Sequence, residues 1–157
     1  MKYFVFIVLG LVILGGIWVF GRPVESLPEA DIQTGEERPS ATINGHMLEL
    51  EIMRTPGEQA RGLSGRESRE ENAGMLFVYE TLVTPGFWMK EMNFSIDIIW
   101  IDADKRVVDI SENLAPETFP ELFHPRSPVQ YVLEVNAGWA DAHNISIGDP
   151  VEFQLDL

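Results

Sequence analysis

The 157-residue chain is 45% hydrophobic and 23% charged, with 25 acidic against 11 basic residues, a net charge of -14, and no cysteine. The missing cysteine excludes a disulfide framework, thiolate zinc and iron–sulfur sites, a cysteine nucleophile and a lipid-modified cysteine anchor. The acidic balance argues against nucleic acid and anionic lipid headgroups as partners, because both need clustered Lys and Arg.

The apolar content is concentrated at the start. Residues 3–21, from Tyr3 to Gly21, run without a charge between Lys2 and Arg22-Pro23. As a helix rising ~1.5 Å per residue, this run matches the ~30 Å hydrocarbon core of a bilayer. A cleaved signal peptide is the competing reading, but bulky Trp18, Val19 and Phe20 stand where a peptidase needs small residues. The sequence therefore predicts residues 1–2 in the cytoplasm and a single-pass anchor over 3–21. The domain then lies outside the cytoplasm, held to the cell membrane with its N-terminus in.

Residues 22–40 contain three prolines and five acids against two arginines. Such a segment buries too little apolar surface to offset its ordering entropy, and it is read as an acidic tether. Residues 41–157 carry 20 acids and 8 bases, a net of -12. Their length suffices to close a core.

The local signals in this part are mostly β. Asn44-Gly45 predicts a tight hairpin, followed by alternation of Leu48, Leu50 and Ile52 with Glu49, Glu51 and Met53. Thr55-Pro56-Gly57-Glu58 reads as a capping box opening a short helix that ends between Gly62 and Gly65. Strands are expected over 75–79, 87–92, 96–102 and 106–111, with turns at Pro85-Gly86 and over 102–105. A proline-spaced loop over 115–128 leads to a strand over 129–135 and a short helix over 137–144. Ile145-x-x-Gly148-Asp149-x-Val151 then turns into a final strand. About eight short strands and two short helices predict a mainly β (α+β) domain, a small compact barrel or sandwich.

Five blocks occur in order: Ala60 to Arg66 (ARGLSGR), Gly74 to Phe77 (GMLF), Phe87 to Lys90 (FWMK), Ile96 to Ile98 (IDI) and Tyr131 to Gly138 (YVLEVNAG). In them the chain resembles the domain-of-unknown-function 192 family, uncharacterised and often membrane-associated proteins of bacteria and archaea. The resemblance spans nearly all of 41–157. It implies a small, mainly β domain, often behind an N-terminal hydrophobic segment, and brings no biochemical activity with it. Family members continue Phe-Trp-Met-Lys with Asn-Thr, whereas Glu91-Met92 stand here, so chemistry that depends on that Asn or Thr does not transfer.

Among the residues that carry chemistry, Asp97 shares a strand face with Ile99 and Ile101, and a carboxylate in an apolar row needs a partner. If 87–92 is a strand that returns through a tight connection, Lys90 pairs with Asp97 and Trp88 with Ile99. A polar centre of Lys90 and Asp97, with Arg61 or Glu134 nearby and Trp88 beside it, would then be a binding site or a register-fixing ion pair. Trp100 is expected in the core and Trp88 within reach of a cleft. His46, His124 and His143 lack ligand spacing, so no metal or other cofactor is expected. The run Glu67 to Glu71 reads as a solvated loop. No nucleophile signature occurs. The sequence thus points to a non-catalytic binding or accessory module, with a small molecule, glycan or protein as ligand. The alternative is a small carboxylate-dependent hydrolase or carbohydrate-active enzyme using Asp97 and Glu134, which requires both acids in one pocket.

Overall fold

The protein's computed structural model describes residues 38–155. The predicted anchor 3–21 and most of the predicted tether lie outside the described residues. Among the described residues, no helix is long and apolar enough to cross a membrane.

The described part begins with a hairpin. Strand β1 (Ser40–Ile43) turns through Asn44-Gly45, both at positive φ, into β2 (His46–Met53). In β2 the alternating leucines turn inward and the intervening glutamates outward, as the pattern predicts. Helix α1 (Pro56–Arg61) is opened by the predicted capping box, in which Thr55 accepts from the Glu58 amide and Glu58 accepts from the Thr55 amide. It ends at Gly62. Strand β3 (Ala73–Val83) follows, then β4 (Ile96–Ile101), β5 (Val107–Leu114) and β6 (Val129–Asn136). Helix α2 (Trp139–Ala142) and β7 (Val151–Gln154) complete the order.

All seven strands form one sheet, in the order β5-β4-β6-β3-β2-β1-β7, with β2 and β3 parallel and every other pair antiparallel. The sheet is a curled half-barrel, so the sandwich alternative does not apply. At one end its edges meet: the Val107 and Gly148 amides donate to Asp149 and Val107, and the Val151 amide to Lys105. Residues of all seven strands converge in one apolar cluster inside the curl, with Ile43, Leu48, Ile99, Leu133, Val135 and Val151 among its buried members. Trp139, Ala140 and Ile145 join it, so the helix-turn-strand unit at the C-terminus packs into the barrel as its sequence predicts.

The central strands are covered on both faces. A second cluster, including Met75, Phe77, Ile98, Trp100 and Val132, lies on the outer face under Leu63 and Met89. Burial on both sides explains why β4 is buried at all six positions.

One predicted strand is absent. Residues 87–92 make a single β-bridge, at Phe87, and then turn, with the Met92 amide bonded to the Met89 carbonyl and Glu91 at a positive φ of 56°. The reason is topological. Both edges of β4 are taken by β5 and β6, which leaves no ladder for 87–92 to join. The segment becomes a strap over the outer face instead.

Candidate functional site

Strand alternation sets the floor of the site. Met75, Phe77 and Tyr79 project to the outer face from β3, and Glu134 projects there from β6, opposite Met75 and Ile98. The α1 segment from Gln59 to Ser64 forms one wall, and Gly86, Phe87 and Trp88 with Leu122 and His124 form the other. Between them is a cleft of about 540 Å³. Two main-chain hydrogen bonds between Phe87 and Phe123, of 2.9 and 2.8 Å, clasp the strap to the 115–128 loop. Gly86 lets the strap lie close to this loop, since a Cβ there would sit 2.7 Å from His124 Cε1 and push the ring aside.

Glu134 is the acid among the cleft's lining residues. It is only 6% exposed, and its Oε2 is buried without a hydrogen-bond partner. Desolvation pushes its carboxyl up to about 7, against the pull of the Arg69 and Arg66 charges. Tyr79 is pushed up to about 12, first by burial and then by the neighbouring Glu134 charge. Behind the floor, Arg69 has a side chain only 2% exposed and donates from Nη1 to the Glu134 carbonyl at 2.9 Å. The run Glu67 to Glu71 is therefore not wholly solvated, since Arg69 turns inward under β6. Glu51 offsets this positive charge through a bidentate pair with Arg66 at 2.6 Å and a 4.0 Å contact with Arg69.

The predicted polar centre divides. Arg61, Trp88 and Glu134 line one cleft, with Trp88 50% exposed. Lys90 and Asp97 do not pair with each other. Lys90 points outward, with Nζ 3.9 Å from Glu91 and 6.0 Å from the Trp88 ring. Asp97 lies on the inner face opposite Val135, fully buried, and accepts from the Asn113 and Ala140 amides at 2.8 and 3.0 Å. The failed pairing follows from the missing strand. Asp97 and Glu134 consequently project from opposite faces of the sheet, so they cannot work as an acid/base pair in one pocket.

The family comparison bears on this same surface. The sequence pattern of the domain-of-unknown-function 192 family (DUF192), described as "Uncharacterized ACR", matches residues 39–153. The chain belongs to this family. A UPF0127 protein of Thermococcus sibiricus is 29% identical over 87 residues, 54% of each chain. The chain thus spans about half the length of the curated relative it matches. Among solved structures, a protein of unknown function from Novosphingobium aromaticivorans is similar at 33% identity and a TM-score of 0.69, covering 72% of this chain and 83% of that one. A Sinorhizobium meliloti protein, provisionally described as a transcription regulator, is similar at 30% identity and a TM-score of 0.69, covering 73% and 93%.

The DUF192 blocks fall on the cleft. Arg61 to Ser64, Phe87-Trp88 and Glu134 supply its two walls and its floor, and Phe77 closes the GMLF block beneath it. The departure at Glu91 is placed at the left-handed turn of the strap, a conformation that suits Asn better than Glu. Tyr79 and His124 line the cleft as well, beyond the polar centre that the sequence predicts. Tyr79 was readable from alternation beyond Phe77, whereas His124 reaches the cleft through a loop clasp that no local pattern announces. Among the described residues, no cluster of three or more His, Asp or Glu could hold a metal ion. His46 and His143, far apart in sequence, stack edge to face at 4.3 Å on another part of the surface.

Proposed function

We propose that this DUF192 chain is a non-catalytic binding module, tethered to the cell membrane by residues 3–21 with its domain outside the cytoplasm, and that it takes a small ligand in the cleft over Glu134. The observation that carries the reading is a buried carboxyl with an unpartnered oxygen at the bottom of an aromatic-walled cleft. Leaving a buried polar group unbonded costs about 1–3 kcal/mol, a cost that a ligand's hydrogen bond removes. The hydrolase alternative lacks a second carboxylate in the cleft. Contact with DNA, which the description of the Sinorhizobium relative suggests, conflicts with a net charge of -12 over residues 41–157.

The test uses the full chain isolated from native membranes beside an Ala60→Trp variant, whose indole fills the cleft from an exposed wall position. Mass spectrometry of released small molecules should find a compound enriched with the wild type and missing from the variant. Equal extracts would overturn the cleft as a ligand site. A reporter fused after Leu157 that is active only in the cytoplasm would overturn the topology.

A further inference from the structure

The chemistry of the ligand can be narrowed from what the cleft leaves unsatisfied. Most of its neutral polar groups are already committed. The Gln59 amide nitrogen donates to the Met53 and Val78 carbonyls, the Ser64 hydroxyl donates to the Lys90 carbonyl, and His124 Nδ1 bonds the Pro85 carbonyl. A polyhydroxylated ligand, which needs many free donors and acceptors, finds little to bond. What remains is the Glu134 carboxyl beside the rings of Phe77, Tyr79, Phe87 and Trp88, with the Tyr79 hydroxyl, the Trp88 indole N–H and the Arg61 guanidinium. A carboxylate in a cleft lined by aromatic rings suits a positive charge, because a ring face attracts a cation by about 0.5–2 kcal/mol. The net charge of -12 over residues 41–157 favours the approach of cations as well.

We propose that the cleft over Glu134 binds an organic cation, an alkylammonium or methylated ammonium group seated against the carboxylate within the aromatic walls. The proposal rests on the cleft's being a ligand site. Arg61, exposed on the wall, is placed to meet an anionic end if the ligand is a zwitterion. Binding the cation holds Glu134 ionised, so association releases a proton wherever the free carboxyl is protonated. The groups facing Glu134 are Arg66 and Arg69 from the loop before β3, Tyr79 on β3, Arg61 on α1 and His124 in the roof. From β4 the facing side chains are Ile98 and Trp100, which do not titrate. Arg66 and Arg69 oppose a cation; Glu51 holds Arg66 in a bidentate pair and stands 4.0 Å from Arg69, whose Nε and Nη2 have no hydrogen-bond partner.

The test titrates the full chain by calorimetry with choline, with its neutral isostere 3,3-dimethylbutan-1-ol, and with the anionic 3,3-dimethylbutanoate. At about pH 8 choline should bind about tenfold or more tighter than the alcohol. Its affinity should fall about tenfold by about pH 6, as protons compete for a carboxyl that titrates near 7. Glu134→Gln should abolish the choline preference and the pH dependence while the alcohol still binds, and His46→Gln, outside the cleft, should preserve both effects. Wild-type binding of the alcohol or the anion at least as tight as that of choline overturns the cation inference yet leaves the cleft as a binding site. So does a pH-independent choline affinity. If none of the three probes binds, or Ala60→Trp leaves their binding unchanged, the inference falls together with the cleft reading.

Discussion

Asp97 and Glu134 lie on adjacent strands, one register step apart, and face opposite sides of the same sheet. Both are buried acids inside apolar runs. Asp97 receives two backbone amides and fastens the β5 and α2 segments to the barrel interior. Glu134 lines a cleft and keeps one buried oxygen without a hydrogen-bond partner. The difference teaches that burial alone does not mark a functional carboxylate. What separates the two is whether the fold supplies the hydrogen bonds: Asp97 is satisfied within the fold, whereas Glu134 keeps an unpartnered oxygen that, in the proposed reading, a ligand meets.

The comparison can be broken most severely at Asp97. Asp97→Ala orphans the buried Ala140 amide and the part-buried Asn113 amide, and should cost about 1–4 kcal/mol in urea denaturation of the full chain. A loss under about 1 kcal/mol would show that Asp97 is not the structural member of the pair.

Glu134 predicts a pH dependence of opposite character. Its carboxyl titrates near 7 folded and at the ordinary 4.5 unfolded, so between these values the folded state holds the extra proton. Stability should therefore be highest below about pH 4.5 as far as this group is concerned. It should fall by about 3 kcal/mol as pH rises through 7, then level off. Glu134→Gln should flatten that slope, measured as urea midpoints across the range. An unchanged slope would assign the titration elsewhere.

Smaller effects sharpen the contrast between barrel and strap. Gly74 stands where β3 is pressed between its neighbours, and a Cβ there would come within 2.8 Å of Leu133 Cδ1 and 3.0 Å of Leu50 Cδ2. Gly74→Ala should destabilise by about 1–3 kcal/mol through overpacking, read as a drop in the urea midpoint. At the strap, Glu91 adopts a left-handed conformation that Asn tolerates better. Glu91→Asn should stabilise by about 0.5–1 kcal/mol, visible as a small rise in melting temperature.

Legibility in the sequence followed the range of the interactions. The Asn44-Gly45 turn, the Thr55–Glu58 capping box and the Ile145 to Val151 unit are set by residues within a few positions of one another, and each forms where its pattern places it. The 87–92 segment has a strand-like composition, but its fate depends on whether a neighbouring ladder is free, and β4 has none. That error carried through to the Lys90–Asp97 pairing. Trp88, Arg61 and Glu134 could be named from sequence, whereas their meeting in one cleft depends on a crossover, a strap and a loop that converge from three distant stretches.

The stitching between residues 105–107 and 148–151 has a consequence for how molecules share a crowded surface. A curled sheet normally ends in two rims, each an invitation to another chain to extend it. Here one rim is sewn to the other over residues 105–107, where β5 begins. Beyond it, buried Asp109 accepts the Arg126 amide and pairs with its guanidinium, and exposed Glu112 adds a charge that disfavours edge-on pairing with a second copy. The sheet's remaining edge is thus guarded against strand-by-strand aggregation by the Arg126 contact and the Glu112 charge.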